Sequence, residues 1–172
     1  CFLHDGIPYA LSWTPRLEIP PYDFCYNVTN LITGKVTELK VQFSDQSEKY
    51  RDLGKNWMAL SKGSQLYFVV SIEPNISVLK CQLETGECTW VTDESLVNNG
   101  IKVSNAGSSA SRGGTSWMYN KEHDCYYGLG HRTYNSHYHT AFLYVLSSDF
   151  KKVRIGPDIT TYCSNQGEWK HI

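Results

Sequence analysis

Leu66-Tyr67-Phe68-Val69-Val70-Ser71 is followed by Val78-Leu79-Lys80-Cys81-Gln82-Leu83 and Cys88-Thr89-Trp90-Val91, the last two flanking Glu84-Thr85-Gly86. The first run is short, apolar, and rich in aromatic and β-branched residues, which is the pattern of a buried strand. Gly86 can adopt a positive φ, so the two segments around it read as a tight hairpin. In a two-residue-loop register Cys81 faces Cys88, and a disulfide is within reach across such a hairpin. Pairing of both cysteines elsewhere is the alternative.

Strand signals continue on both sides of this stretch. Downstream, residues 115–119, 125–129, 138–146 and 151–155 read as strands, with a polar loop through Asn135 and a turn at Ser147-Ser148-Asp149. Upstream, residues 25–30 and 35–43 form a hairpin around Thr33-Gly34. Residues 98–114, rich in Gly, Ser and Asn, read as a long loop between sheets. No 12-residue segment carries a convincing helical period. The fold class is therefore all-β.

Two regions resemble each other. Lys55-Asn56-Trp57 leads through Lys62-Gly63-Ser64 into an apolar strand, a loop at Glu73-Pro74 and a hairpin. Gly114-Thr115-Ser116-Trp117 leads through Lys121-Glu122-His123-Asp124 into a strand, a loop at His131 and a hairpin. Trp57 and Thr115 stand 58 positions apart. A four-stranded unit recurring at that period marks β-propeller blades; two unrelated meanders in a sandwich are the competing architecture. The expected organisation is one domain over 1–172, with a partial blade at 20–45 and blades at 50–95 and 110–160. Propellers close with at least four blades, so another chain or copy is expected to complete this one.

Composition narrows the function classes. The chain has 172 residues, 41% hydrophobic and 13% aromatic, with 12 Tyr and 5 Trp, which excludes disorder. The formal charge is -1 and no basic cluster exceeds Lys151-Lys152, so a nucleic-acid role is not expected. No apolar run approaches the roughly 20 residues of a membrane span. Six cysteines (Cys1, Cys25, Cys81, Cys88, Cys125, Cys163) are widely spread, with no C-x-x-C pair. Sequons stand at Asn27-Val28-Thr29 and Asn75-Ile76-Ser77. With a first residue that is Cys rather than Met, these features predict a processed, secreted, disulfide-bonded glycoprotein glycosylated at Asn27 and Asn75.

At Lys55-Asn56-Trp57 and Arg112-Gly113-Gly114-Thr115 the chain resembles the five-bladed propellers of β-mannoside phosphorylases and β-mannosyltransferase-like proteins, over about residues 50–160. In that group one blade opens on Lys-(Asn/Asp)-Trp and ends in a sugar-contacting segment, here Ser71-Ile72-Glu73-Pro74. The next opens on a Gly-Gly-Thr-like turn and carries a Gly-x-His element, here within Tyr127-Gly128-Leu129-Gly130-His131. The family's catalytic acid lies in an earlier, Asp-Pro-rich segment that nothing in residues 1–43 matches.

The resemblance implies a carbohydrate site. Asn56, Trp57, Arg112, Thr115 and Arg132 would bind the ligand, and Glu73 and His131 would be the catalytic candidates. An aromatic ring stacks on the apolar face of a sugar, while Asn, Arg and Glu hydrogen-bond its hydroxyls. If catalytic, the protein would protonate a glycosidic oxygen while water, phosphate or a second carboxylate attacks the sugar. No cofactor is expected. His131, His137 and His139 form a weak metal candidate, because alternation on a strand puts the last two on one face, with no carboxylate or Cys ligand at a familiar spacing. Each residue has a plainer reading: Trp57 as core packing, Arg112 as a loop clamp, Glu73 as a solvated strand end, His131 as a structural histidine. The competing functions are a non-catalytic secreted module binding glycans or proteins, and an unrelated extracellular activity on the same scaffold.

Overall fold

A computed structural model describes residues 1–16, 23–41, 56–72, 76–91, 111–134, 138–159, 161–163 and 169–171. Among them there is no helix and there are fifteen strands.

The first eight strands are β1 (Phe2–His4), β2 (Ile7–Arg16), β3 (Asp23–Asn30), β4 (Val36–Val41), β5 (Met58–Lys62), β6 (Gln65–Ser71), β7 (Ser77–Cys81) and β8 (Glu87–Trp90). They form one sheet in the order β1-β2-β3-β4-β8-β7-β6-β5. Local chemistry sets its hairpins. Asp5 and Gly6 both take positive φ, 49° and 75°, and join β1 to β2 in a two-residue turn; primed turns of this kind match the twist of the strands they connect. Between β3 and β4, Asn30 Oδ1 accepts from the amides of Ile32 and Thr33 at 2.9 and 3.0 Å, and Gly34 sits at φ 73°.

The expected hairpin at Gly86 is present, with Cys81 opposite Cys88 and a disulfide between them. Its tip is looser than two residues, since the Gly86 amide donates to the Gln82 carbonyl. Gly86 has φ 75°, and a Cβ there would run into the Glu38 carbonyl. That close approach is the joint of the sheet. Lys40 donates its amide to Gly86 O at 2.7 Å, and β4 and β8 run parallel with Lys40 opposite Glu87 and Val41 opposite Cys88. β5 to β8 are thus hydrogen-bonded into one sheet with the N-terminal strands.

The sheet curls until its ends nearly meet, which makes it barrel-like and not quite closed. At the seam the Ser61 hydroxyl donates to the Leu3 carbonyl at 3.1 Å. A carbonyl can only accept, so the single Ser61 proton is used there. Ser61 Oγ then accepts from His4 Nδ1 at 3.0 Å, which fixes the proton of buried His4 on Nδ1.

The second sheet contains β9 (Ser111–Gly113), β10 (Met118–Asn120), β11 (Cys125–Tyr134), β12 (Tyr138–Ser147) and β13 (Val153–Ile159), in the order β10-β11-β12-β13 with β9 also on β11. A small pair, β14 (Thr161–Cys163) and β15 (Trp169–His171), completes the described strands. Residues 115–117 were expected to be strand and are not. Their polar groups are spent elsewhere: Thr115 N donates to Leu129 O, and Trp117 N donates to Ala59 O on β5.

Two cores follow from period-2 alternation. Ala59, Leu66, Phe68, Val70 and Leu79 point into the barrel, against Phe2, Tyr26, Val28 and Leu39. Met58, Leu60, Tyr67, Val69 and Val78 point the other way, against Trp117, Tyr126, Phe142, Tyr144 and Leu146 of the second sheet. β6 is therefore buried on both faces, which explains its continuous apolar run.

Candidate functional site: an aromatic cleft along the seam

A cleft of about 1230 Å³ follows the seam between β1 and β5 and extends across the start of the second sheet. β1 and β2 supply Phe2, Leu3, Leu11 and Trp13, and β5 and its approach supply Asn56, Trp57, Ala59 and Ser61. Residues 114–119 form the lip between them, with Tyr127, Leu129 and Leu143 beyond. The lip is tied down on both sides. Ser116 Oγ donates to the Cys1 carbonyl at 3.0 Å, and Trp117 N reaches Ala59 O at 2.9 Å. Thr115 Oγ1 accepts from Leu129 N at 2.9 Å. Gly113 is required just before the lip, because a Cβ there would strike the Asn56 carbonyl.

The walls are apolar and aromatic. Leu3, Trp13, Met118, Tyr119, Leu129 and Leu143 all line the cleft and are all large apolar side chains left exposed, Trp13 at 38% and Tyr119 at 49%. Exposed apolar surface gathered in one concavity, with few polar groups converging on it, is the usual make-up of a ligand site. The polar groups among the lining residues include Asn56, Ser61, Thr115, Ser116, the phenols of Tyr26, Tyr119 and Tyr127, and the indole N–H groups of Trp13, Trp57 and Trp117. No Asp, Glu, His, Lys or Arg is among the described lining residues. Asn56 holds φ 71°, in the left-handed region that asparagine tolerates better than most residues.

Tyr119 is held from behind. Its hydroxyl donates to Asp124 Oδ1 at 2.7 Å, and Ser148 Oγ donates to Asp124 Oδ2 at 2.7 Å. These bonds, Ser148 first and then Tyr119, hold the Asp124 carboxyl below its ordinary value, and the bond to Asp124 raises the Tyr119 phenol. Tyr126, packed 5.0 Å from Tyr119, is pushed up to about 12, chiefly by burial. The Tyr119 ring is therefore a fixed platform.

Of the residues expected to bind ligand, the structure brings Asn56, Trp57 and Thr115 to this cleft. Trp57 arrives in a different role. It is 9% exposed and stacked on Tyr26 with centroids 3.7 Å apart, so its ring faces are committed to the core. Arg132 does not line the cleft: its guanidinium lies 4.6 Å over the Phe142 ring. His131 is half-buried on β11, opposite Ala141 and Arg112, and is not part of the lining either. Arg112 is placed by its backbone on β9, and its side chain lies outside the described residues. So do Glu73, Asn75, His137 and the side chain of His139. Among the described residues no three His, Cys, Asp or Glu side chains gather as metal ligands.

Asn27 lies on β3 between Tyr26 and Val28, which are buried inside the barrel, so alternation turns it outward. It is half-buried there, with Nδ2 3.6 Å from Cys25 Sγ. Among the described residues Cys1, Cys25 and Cys125 are in no disulfide, and Cys1 lines the cleft.

Sequence reasoning missed Trp13, Tyr119 and Tyr127 as wall residues. The available signal was alternation: Tyr127 and Leu129 fall between Tyr126, Gly128 and Gly130, which face the core. No family model, no curated protein and no solved structure matches the chain.

Proposed function

We propose that the protein is a secreted, non-catalytic carbohydrate-binding module whose ligand lies in the seam cleft. The observation that carries this reading is a cleft walled by exposed Trp13 and Tyr119 and half-buried Tyr127, edged by Asn56 and Thr115, with no carboxyl among its described lining residues. Aromatic faces suit the C–H faces of sugars, and amide and hydroxyl groups suit their hydroxyls. Glycoside cleavage needs a carboxylic acid within hydrogen-bond reach of the scissile oxygen. The described lining offers none, so binding is the simpler function.

The same proposal takes the stacked meanders β5–β8 and β10–β13 as blades of a five-bladed propeller, completed by further chain or by another copy. Support comes from their like order and from the apolar interface between them. Secretion rests on the Cys81–Cys88 disulfide and on the outward placement of Asn27 in its sequon.

Titration calorimetry with mannohexaose, cellohexaose and maltohexaose tests the reading. Binding of at least one, weakened about tenfold by Trp13→Ala, supports it. Failure of all three at millimolar concentration rejects it. Release of reducing sugar that disappears in Glu73→Gln would replace it with the glycosidase reading.

A further inference from the structure

Trp57 and Trp117 both line the seam cleft, and both are more than nine-tenths buried. Among the described residues, neither indole Nε1 has a hydrogen-bond partner. An indole N–H is a donor with no acceptor function, and leaving one buried and unbonded forfeits its hydration without return. Two such donors in the lining of one cleft are uncommon, because buried polar groups are nearly always paired. Their rings are otherwise well held. Trp57 stacks on Tyr26, and Trp117 packs against Tyr144 with centroids 6.0 Å apart. Packing fixes the rings and leaves only the nitrogens unsatisfied.

We infer that Trp57 Nε1 and Trp117 Nε1 are the polar anchors of the cleft and donate to two uncharged oxygen acceptors of the bound ligand. The inference rests on the carbohydrate reading and assigns the indoles a role distinct from stacking. The acceptors are hydroxyl, ring or glycosidic oxygens; no lone pair on the indoles receives a proton in return. Neither nitrogen is open to solvent, so the lip carrying Trp117 must shift as the ligand enters. Hydrogen bonds hold that lip: Ser116 Oγ donates to Cys1 O, Trp117 N to Ala59 O and Thr115 N to Leu129 O, while Thr115 Oγ1 accepts from Leu129 N.

The test is the indole region of the ¹H–¹⁵N spectrum, with each of the five tryptophans assigned by its own Trp→Phe variant. The probes are the same three hexaoses. The expected result is a downfield shift of the Trp57 and Trp117 indole protons on saturation, and about three- to tenfold weaker binding by Trp117→Phe with its remaining indole peaks unmoved. If a hexaose binds and shifts only Trp13, the carbohydrate reading stands and the anchors are overturned. If none binds and no indole moves, both fall. Should Trp57→Phe or Trp117→Phe unfold, the wild-type shifts alone decide, since they need no variant to be stable once Trp13, Trp90 and Trp169 are assigned.

Discussion

Trp57 stacks on Tyr26 at 3.7 Å with the ring planes 13° apart, across the inside of the barrel. This contact turns a residue expected to meet a ligand face-on into one that holds β3 against the approach to β5. Trp57→Ala should cost about 3–5 kcal/mol, as for other buried aromatic truncations, read as a lower urea midpoint at unchanged slope. Trp13→Ala, at a position 38% exposed, should leave the midpoint within about 0.5 kcal/mol of wild type. The pair separates a ring on which the fold depends from one on which it does not.

Gly86 and Gly34 have nearly the same φ, 75° and 73°, in different surroundings. A Cβ at Gly34 meets nothing within 4 Å, whereas one at Gly86 meets the Glu38 carbonyl. Gly34→Ala should cost only the left-handed penalty, about 1 kcal/mol. Gly86→Ala should cost at least about 2 kcal/mol more, because the β4–β8 joint must open. Equal losses in thermal melts would show that the joint is not tight.

Asp124 provides a pH prediction with a definite sign. Its folded carboxyl titrates below the ordinary value, so the bonds from Ser148 and Tyr119 contribute stability above the unfolded carboxylate pKa. That contribution is lost as pH falls through the lower folded value. Ser148→Ala should raise the Asp124 midpoint more than Tyr119→Phe does, since the Ser148 bond is the larger cause. The Asp124 carboxyl ¹³C shift, followed from pH 6 to 2, reads both.

The Cys81–Cys88 bridge closes a short loop, with a sequence separation of 7. Loop-closure entropy for so few residues predicts about 2.5 kcal/mol. The Cys81→Ala, Cys88→Ala double variant should lose about that much in urea denaturation while keeping the hairpin register, which Lys80 and Leu79 pairing with Thr89 and Trp90 also maintains. A loss near zero would mean that the packing of β7 and β8 already imposes the closure.

Much of the fold was legible locally. The apolar run at β6, the Thr33-Gly34 turn and the facing of Cys81 and Cys88 are short-range patterns, and each is found in place. The Asp5-Gly6 turn was equally readable, since both residues tolerate positive φ, and was passed over. The parallel contact of β4 with β8 was not legible. It joins Val41 to Cys88 across more than forty residues and depends on the backbone fit at Gly86. The site divides likewise: Asn56 and Thr115 were found from their motifs, but the cleft they share exists only because the barrel ends meet beside the second sheet.

Alternation along β11 and β12 also bears on how the protein can change over evolutionary time. Tyr126, Phe142, Tyr144 and Leu146 each plug the core and admit few replacements. Tyr127, Leu129 and Leu143, interleaved with them, face the cleft and carry little of the fold. On the binding function proposed above, ligand preference and stability are written on opposite faces of the same strands, and descendants of this chain can drift in what they bind without first solving how to fold again.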